Sequence, residues 1–385
     1  MTSRPIPYGN HFIDNSDIKA VIASLKKKTI TQGDMVEKFE KEICNYVNAR
    51  YCVVVNSCTS GLIIALQALQ IKKNSHVLTS AISFVSTANS IMHNNLYPVF
   101  SDIDDQTLNI SINSLKKILN KKVKVLMPVH LGGLANQSKY LWQECRKKKI
   151  YIIEDAAHSF GGNYDCGSKI GSCKYSDMTV FSFHPVKTMT TGEGGAITTN
   201  SRFIYEKLKS LRNHGIIRSK QEQMSKGSWF YDVKSLGYNF RLTDFQCALG
   251  ISQLKKINKI LKYRKKITIF YDQQLKNNKN LGLLQKDYRE QSSNHLYIIR
   301  ANFKKLKKSK ILLFNYMKKK GITLQTHYKP ILQHTLYKKF INKKKNILNA
   351  INYYENSFSI PIFFNLKRKQ QKRIVEEIKN FFYKK

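Results

Sequence analysis

Four short stretches of this chain combine chemically capable side chains with small residues that let a ligand come close. The first is Ser182-Phe183-His184-Pro185-Val186-Lys187, followed by the turn Gly192-Glu193-Gly194-Gly195. A lysine between an apolar run and such a turn can form an imine with a carbonyl compound. The glycines admit close backbone approach, and Ser182 can share the same cradle. The second is Glu154-Asp155-Ala156-Ala157-His158, directly after the apolar Tyr151-Ile152-Ile153. A carboxylate there can hold a protonated ring nitrogen, a pairing of roughly 4 kcal/mol at ~4 Å and an effective dielectric of about 20, before desolvation. The third is Asn56-Ser57-Cys58-Thr59-Ser60-Gly61, a hydroxyl-rich turn opening a helix, whose amides and positive end suit a phosphate. The fourth runs from Leu236 to Asp244 and offers Asn239 and Arg241 to an anion. Each also has an ordinary structural reading: an N-cap, a helix-capping carboxylate, a packed histidine, a solvated lysine, an ion-paired arginine.

The elements that must position these residues follow from hydropathy. Apolar runs at 51–56, 76–79, 97–101, 124–129, 151–154, 179–183 and 196–199 alternate with helical patterns such as 62–71 and 138–148. Strand–helix alternation with continuously apolar strands predicts a mostly parallel sheet covered on both faces. Ligands bind beyond the carboxyl ends of such strands, which is where the first three stretches fall. A long helix starts near Leu242, with Thr243 and Gln246 as a capping box and apolar positions at 245, 249, 254, 257 and 261. Beyond it the pattern gives a strand at 295–301, a helix capped by Ser309 and stopped at Gly321, a strand at 322–327 and a terminal helix near 370–382. The expected division is a large domain over 12–250 and a small α+β domain over 251–385, with residues 1–11 near the active site.

Composition bounds the rest. The 385 residues are 42% hydrophobic, enough for a sizeable core. Sixty-six Lys and Arg stand against 25 Asp and Glu, a formal charge of +41. Such an excess points to a polyanionic partner or to compositional bias. Runs of lysine at 26–28, 147–149, 318–320 and 343–345 are scattered along the sequence, with no basic stripe interleaved with aromatics, which favours bias. Seven cysteines at 44, 52, 58, 145, 166, 173 and 247 include no CxxC pair, so neither a zinc site nor a disulfide framework is indicated. The N-terminal residues have no signal-peptide core and no run is long enough to span a membrane. The expectation is a cytoplasmic protein with no nucleic-acid or membrane partner. Phosphate-loop, dinucleotide, zinc-protease and nucleophile-elbow motifs are missing.

Taken in order, the four stretches resemble the DegT/DnrJ-type sugar aminotransferases, pyridoxal-phosphate (PLP) enzymes of the aspartate-aminotransferase fold (fold type I). The likeness runs from ITQGDMVEKFE through SFVSTANSI, PVFSDID, PVHLGG, EDAAHSFGGNY, FSFHPVKTMTTGEGGAITTN and GYNFRLTDFQCALGISQL to SSNHLY and THYKPI. It implies that Lys187 holds PLP covalently and moves a proton between substrate carbon and cofactor. Asp155 would pair with the pyridinium nitrogen, His158 would stand near the ring's phenolic oxygen, and Phe84 would stack on the ring. Thr59, Ser182 and the backbone of Cys58 would hold the phosphate, and Asn239 would reach it from the other subunit of a homodimer. Tyr8, Lys28, Thr29, Ile30, Thr31, Thr326, His327, Tyr328 and Lys329 match segments that contact a nucleotide sugar. Motifs near both ends are most similar to the pseudaminic acid branch, which aminates C4 of a UDP-linked 4-keto-6-deoxy-N-acetylhexosamine with L-glutamate as donor. Other readings are a different nucleotide 4-keto sugar (UDP-4-keto-arabinose, or a GDP- or dTDP-sugar), or a nucleic-acid-binding or regulatory protein on a degenerate PLP fold. A dehydratase branch replaces the lysine by His, so Lys187 favours transamination.

Overall fold

Each of the seven apolar runs forms a strand of one sheet, because a strand apolar on both faces must be covered twice. In the computed structural model, which describes residues 5–340 and 347–383, these are β1 (Tyr51–Val55), β2 (His76–Ser80), β3 (Tyr97–Ser101), β4 (Val123–Met127), β5 (Tyr151–Asp155), β6 (Met178–Ser182) and β7 (Gly195–Thr199). The lysine run at 343–345 lies outside the described residues. The strand order is β1-β7-β6-β5-β4-β2-β3. β7 is antiparallel to both of its neighbours and every other pair is parallel. One edge of the sheet therefore collects the carboxyl ends of six strands with the amino end of β7.

Helices α1 (Asn15–Leu25) and α2 (Asp34–Val47) precede the sheet. The crossovers supply α3 (Cys58–Ala68), α4 (Val85–His93), α5 (Ile112–Ile118) and α6 (Ser138–Lys147), and α7 (Arg202–Arg212) follows the last strand. One face buries Phe39, Phe160, Phe181 and Phe183 in a common core; the other buries Leu62, Leu66, Leu208 and Leu211. Each such side chain contributes about 1.5–3 kcal/mol by leaving water. An excursion after α7 holds β8 (Ile216–Ile217), α8 (Lys220–Lys226) and β9 (Asp232–Val233).

The long helix expected from Leu242 is two helices, α9 (Asp244–Leu254) and α10 (Ile257–Leu275). The capping box is present, with Gln246 Oε1 accepting from the Thr243 N–H (3.2 Å) and hydroxyl (2.8 Å). The break falls at Lys256 (φ −102°, ψ −3°), whose ammonium reaches Asp17 (2.6 Å) and Asp14 (2.9 Å) at the start of α1. The remaining elements are β10 (Leu281–Leu283), β11 (Tyr297–Ala301), α11 (Lys310–Lys319), α12 (Leu348–Asn356), β12 (Ser357–Ile360) and α13 (Arg368–Tyr383). As expected, Ser309 caps α11, and Gly321 follows its end at φ +66°, a conformation glycine adopts without strain. The strand expected at 322–327 is not formed. Only single bridges, Ile6 to Ile322 and Gln325 to Ser359, mark that stretch, because Gln325 to Tyr328 turn away to line a cavity. A separate core gathers Ile6 with residues of α10, β11, α11, β12 and α13. A further cluster joins Ala81, Phe100 and Leu131 to Leu284, Leu296 and Tyr353, fixing the late segments against the carboxyl edge of the sheet.

Candidate active site

A cavity of about 560 Å³ lies over that carboxyl edge. Chain reversals after five strands supply its walls: Ser57, Cys58 and Thr59 after β1, Ser83 and Phe84 after β2, Val129 after β4, Asp155 and His158 at the end of β5, and Ser182 and Lys187 at the end of β6. Tyr8, His295, Thr326, His327 and Tyr328 close it from the termini and the late segments.

Lys187 follows a turn in which its N–H donates to His184 O (2.9 Å). Its amine reaches the cavity but is walled by protein. Burial lowers its pKa to about 8, with Cys58 and Asp155 opposing the shift. At pH 7 roughly a tenth of such amines are unprotonated, against fewer than one in a thousand for an ordinary lysine. Asp155 is 4% exposed. Thr87 Oγ1 donates to its Oδ2 (2.6 Å) and the Ala157 N–H to its Oδ1 (3.2 Å). Burial nevertheless holds its carboxyl above the usual range, since these bonds and the charge of Lys187 offset desolvation only in part. The anion is under-satisfied and would gain from a cation in the cavity.

Opposite these charges stands a group of neutral rings. The Gly132 N–H donates to His158 Nδ1 (3.3 Å), so in the neutral imidazole the proton sits on Nε2, which donates to Tyr328 Oη (3.0 Å). His158 packs on His295 with ring centroids 4.5 Å apart, and His327 is 6.4 Å away. Burial, then the Lys187 charge, pushes His327 down to about 3. His158 and His295 are also driven well below the usual histidine range, chiefly by burial.

The other end of the cavity is the amino end of α3. Ser57 Oγ caps it by accepting from Ser60 N–H (3.1 Å). The amides of Cys58 and Thr59, in the first turn, have no intrahelical carbonyl to bond, and both residues line the cavity. Strand β7 passes so close that a Cβ on Gly195 would sit 2.8 Å from Cys58 N and 2.9 Å from Ser57 C. Only glycine permits that approach. Cys58 itself is buried, and burial pushes its thiol well up.

The structure thus brings together Tyr8, Cys58, Thr59, Phe84, Asp155, His158, Ser182, Lys187, Thr326, His327 and Tyr328. It does not bring Lys28, Thr29, Ile30, Thr31, Asn239 or Lys329 into this cavity; all six are exposed. Thr31 bridges Thr243, and Asn239 bridges Asn213. Close to them a second cavity, about 470 Å³, is lined by Gln32, Arg212, Arg218 and Arg241 among others. Among the described residues Arg241 forms no ion pair; its Nη1 donates to Asn213 Oδ1 (2.6 Å). Sequence reasoning overlooked Thr87, which holds Asp155, and His295, whose ring lines the cavity. Thr87 lies three residues after Phe84 within SFVSTAN, and His295 inside SSNHLY, so their motifs carried the signal without a role.

A model of the DegT/DnrJ/EryC1/StrS aminotransferase family matches residues 11–379. The chain belongs to this family. A UDP-4-amino-4,6-dideoxy-N-acetyl-beta-L-altrosamine transaminase from Campylobacter jejuni subsp. jejuni serotype O:23/36 is 37% identical over 377 residues, 97% of this chain and 96% of that protein. Among solved structures, Helicobacter pylori PseC, an aminotransferase involved in the biosynthesis of pseudoaminic acid, superposes with a TM-score of 0.92 at 32% identity, over 98% of this chain and 99% of that one. A Streptococcus pneumoniae protein described as a sugar aminotransferase, Spr1654, matches at 28% identity in its PMP form (TM-score 0.89, 97% and 98% coverage) and in its PLP form (TM-score 0.88, 98% of both chains). The mostly parallel sheet with its covering helices is the fold these family members share. No helix among the described residues is long and apolar enough to cross a membrane.

Proposed function

We propose that this chain is a PLP-dependent sugar-nucleotide aminotransferase that transfers the amino group of L-glutamate to C4 of a UDP-linked 4-keto-6-deoxy-N-acetylhexosamine. The observation that carries the reading is the convergence of three groups on one cavity: the buried amine of Lys187, the under-satisfied carboxylate of Asp155 and the amino end of α3. These residues suit PLP, whose aldehyde, basic ring nitrogen and phosphate need an amine, an anion and an array of amides. Bound there, the cofactor supplies a carbonyl to carry nitrogen and an electron sink for the carbon being deprotonated. Asp155, oriented by Thr87, would keep the ring nitrogen protonated. Thr59, Ser182 and the Cys58 amide would hold the phosphate, Phe84 would cover the ring face and His158 would stand near the ring oxygen. Lys187, once free, would carry the proton between carbons, and its pKa near neutrality suits that role.

Tyr8, Thr326, His327 and Tyr328, which close the cavity over the sheet edge, would contact the nucleotide sugar. Exposure of Asn239 and residues 28–31 away from their own cavity supports a homodimer in which these residues, with Lys329, serve a shared site. The likeness to the altrosamine transaminases supports the choice of sugar.

The experiment is an absorbance spectrum of the purified protein before and after L-glutamate, with Lys187→Ala as control. A visible cofactor band that glutamate bleaches, and that the control lacks, is the expected result; addition of the UDP-4-keto sugar should then restore it. Restoration only by a GDP- or dTDP-linked ketone would overturn the choice of nucleotide. Failure to take up PLP would overturn the enzymatic reading.

A further inference from the structure

The +41 charge is not absorbed by the cavity, and the fold gives it a location that the sequence conceals. The edge of the sheet opposite the cavity collects the amino ends of β1, β6, β5, β4, β2 and β3 with the carboxyl end of β7. Moving along it in spatial order from β1, the turns present Arg50, Arg202, Lys174, Lys148, Lys122 and Lys73, one for each of six successive strands. All six are exposed, and none forms an ion pair among the described residues. Of the acids nearby, Asp177 and Glu144 are already engaged by Arg146 (2.7 Å) and Lys147 (2.8 Å), while the exposed Asp165 lies close enough to act on Tyr175. With strands ~4.8 Å apart, the row extends over about 24 Å.

Aromatic rings lie among the cations. Tyr51, Tyr151 and Tyr97 are the first residues of β1, β5 and β3, and Phe203 follows Arg202. Tyr151, Tyr97 and Phe203 are 39%, 42% and 63% exposed; Tyr51 and Tyr97 each have one face covered, by Tyr205 (centroids 4.7 Å apart) and His76 (4.8 Å). The Lys174 ammonium lies 5.7 Å from the centroid of the Tyr175 ring. These residues are up to 152 positions apart in sequence (Arg50 to Arg202), and the sheet alone sets them in a row.

We propose that this edge binds single-stranded nucleic acid, with the cations tracking the phosphates and the rings offering stacking faces to the bases. Alternating charge and aromatic faces along a line is the arrangement that holds unpaired strands without reading sequence. A bilayer would call for apolar side chains to insert, whereas the turns at 72–74 and 120–122 carry only Lys and Asn.

The test is fluorescence anisotropy of a labelled oligo-dT of about 15 nucleotides with the full-length holoenzyme at near-physiological salt, about 0.15 M. The edge variant carries Lys73→Glu, Lys122→Glu, Lys148→Glu and Lys174→Glu. A control with the same charge change carries Lys304→Glu, Lys305→Glu, Lys318→Glu and Lys319→Glu, all exposed and in the second half of the chain. The edge variant should bind at least about tenfold more weakly, and the slope of log K against log salt should become shallower by about 3, while the control stays within about twofold of wild type. Unchanged cofactor absorbance and melting temperature would certify the fold of both; should the reversal fail to fold, the same four positions changed to Gln give the same comparison at smaller amplitude. Equal losses in edge variant and control would reduce the effect to net charge and overturn the proposal. So would absence of binding by wild type, equal or tighter binding of a duplex, or binding of phosphatidylserine vesicles without binding of the oligonucleotide.

Discussion

Two neighbouring carboxylates at the end of β5 occupy opposite worlds. Strand periodicity sends Asp155 to the cavity and Glu154 to the other face. Glu154 is 1% exposed, yet it accepts from Tyr164 (2.7 Å), Thr179 (2.7 Å) and Ser176 (3.0 Å) and lies 3.3 Å from His130 Nε2. Burial pushes its carboxyl up, but the His130 imidazole and these hydroxyls outweigh it, and it titrates below the usual range. Asp155, with two donors and a cavity in front of it, is held above that range by the same burial. One region is saturated and therefore structural. The other is left short of partners and can be satisfied by a ligand.

Five substitutions at four positions would sharpen or break this contrast. The largest expected effect is on chemistry: Lys187→Ala should lower transamination by about 10⁴-fold or more, measured as single turnovers with glutamate, with the fold intact. Asp155→Asn should cost about 10³-fold, the worth of a roughly 4 kcal/mol charge pair, while raising the melting temperature of the cofactor-free chain. Glu154→Ala should do the reverse, removing about 3–5 kcal/mol of stability by orphaning His130 and three hydroxyls, seen as a lower urea midpoint. Because the Glu154 carboxyl is depressed in the fold, the stability it contributes is present above its unfolded pKa and fades as pH falls through the folded one. If Glu154→Ala and Asp155→Asn shift stability in the same direction, the distinction between the two regions fails.

The pH dependence of Lys187 offers a smaller effect. Its folded pKa, about 8, lies below its ordinary 10.5, so the cofactor-free chain pays for a buried charge below pH 8. That cost, up to about 3 kcal/mol, is relieved between pH 8 and 10.5, where the unfolded chain binds more protons. Lys187→Met should therefore stabilise the cofactor-free chain at pH 7, and the gain should vanish towards pH 10.5 in denaturation curves. Smallest of all, Thr87→Val should leave the fold unchanged and weaken cofactor retention about tenfold, the worth of one hydrogen bond to a charged group, measured by equilibrium dialysis.

Much of this was legible in the sequence. The strands were continuous apolar runs, and their polar successors, Cys58, Asp155, Ser182 and Lys187, could be located from the rule that open sheets bind at their carboxyl edge. Thr326, His327 and Tyr328 were legible only through resemblance to a family, since local pattern assigned the first two to a strand and gave Tyr328 no role. Local pattern also ran α9 into α10, because the reason for the break is a contact from Lys256 to Asp14 and Asp17, more than two hundred residues away.

The sequence by itself determined which seven segments build the large sheet, which edge of that sheet is chemical and which lysine stands apart from the rest, because hydropathy period and chain reversal are local properties. Tertiary structure alone decided three things: that Thr87 and His295 converge on Asp155 and His158, that Glu154 is sealed while its neighbour is open, and that scattered lysines and arginines come to flank successive strands along the far edge. Each depends on which strands lie side by side, and strand order is set by long-range packing that no local pattern encodes.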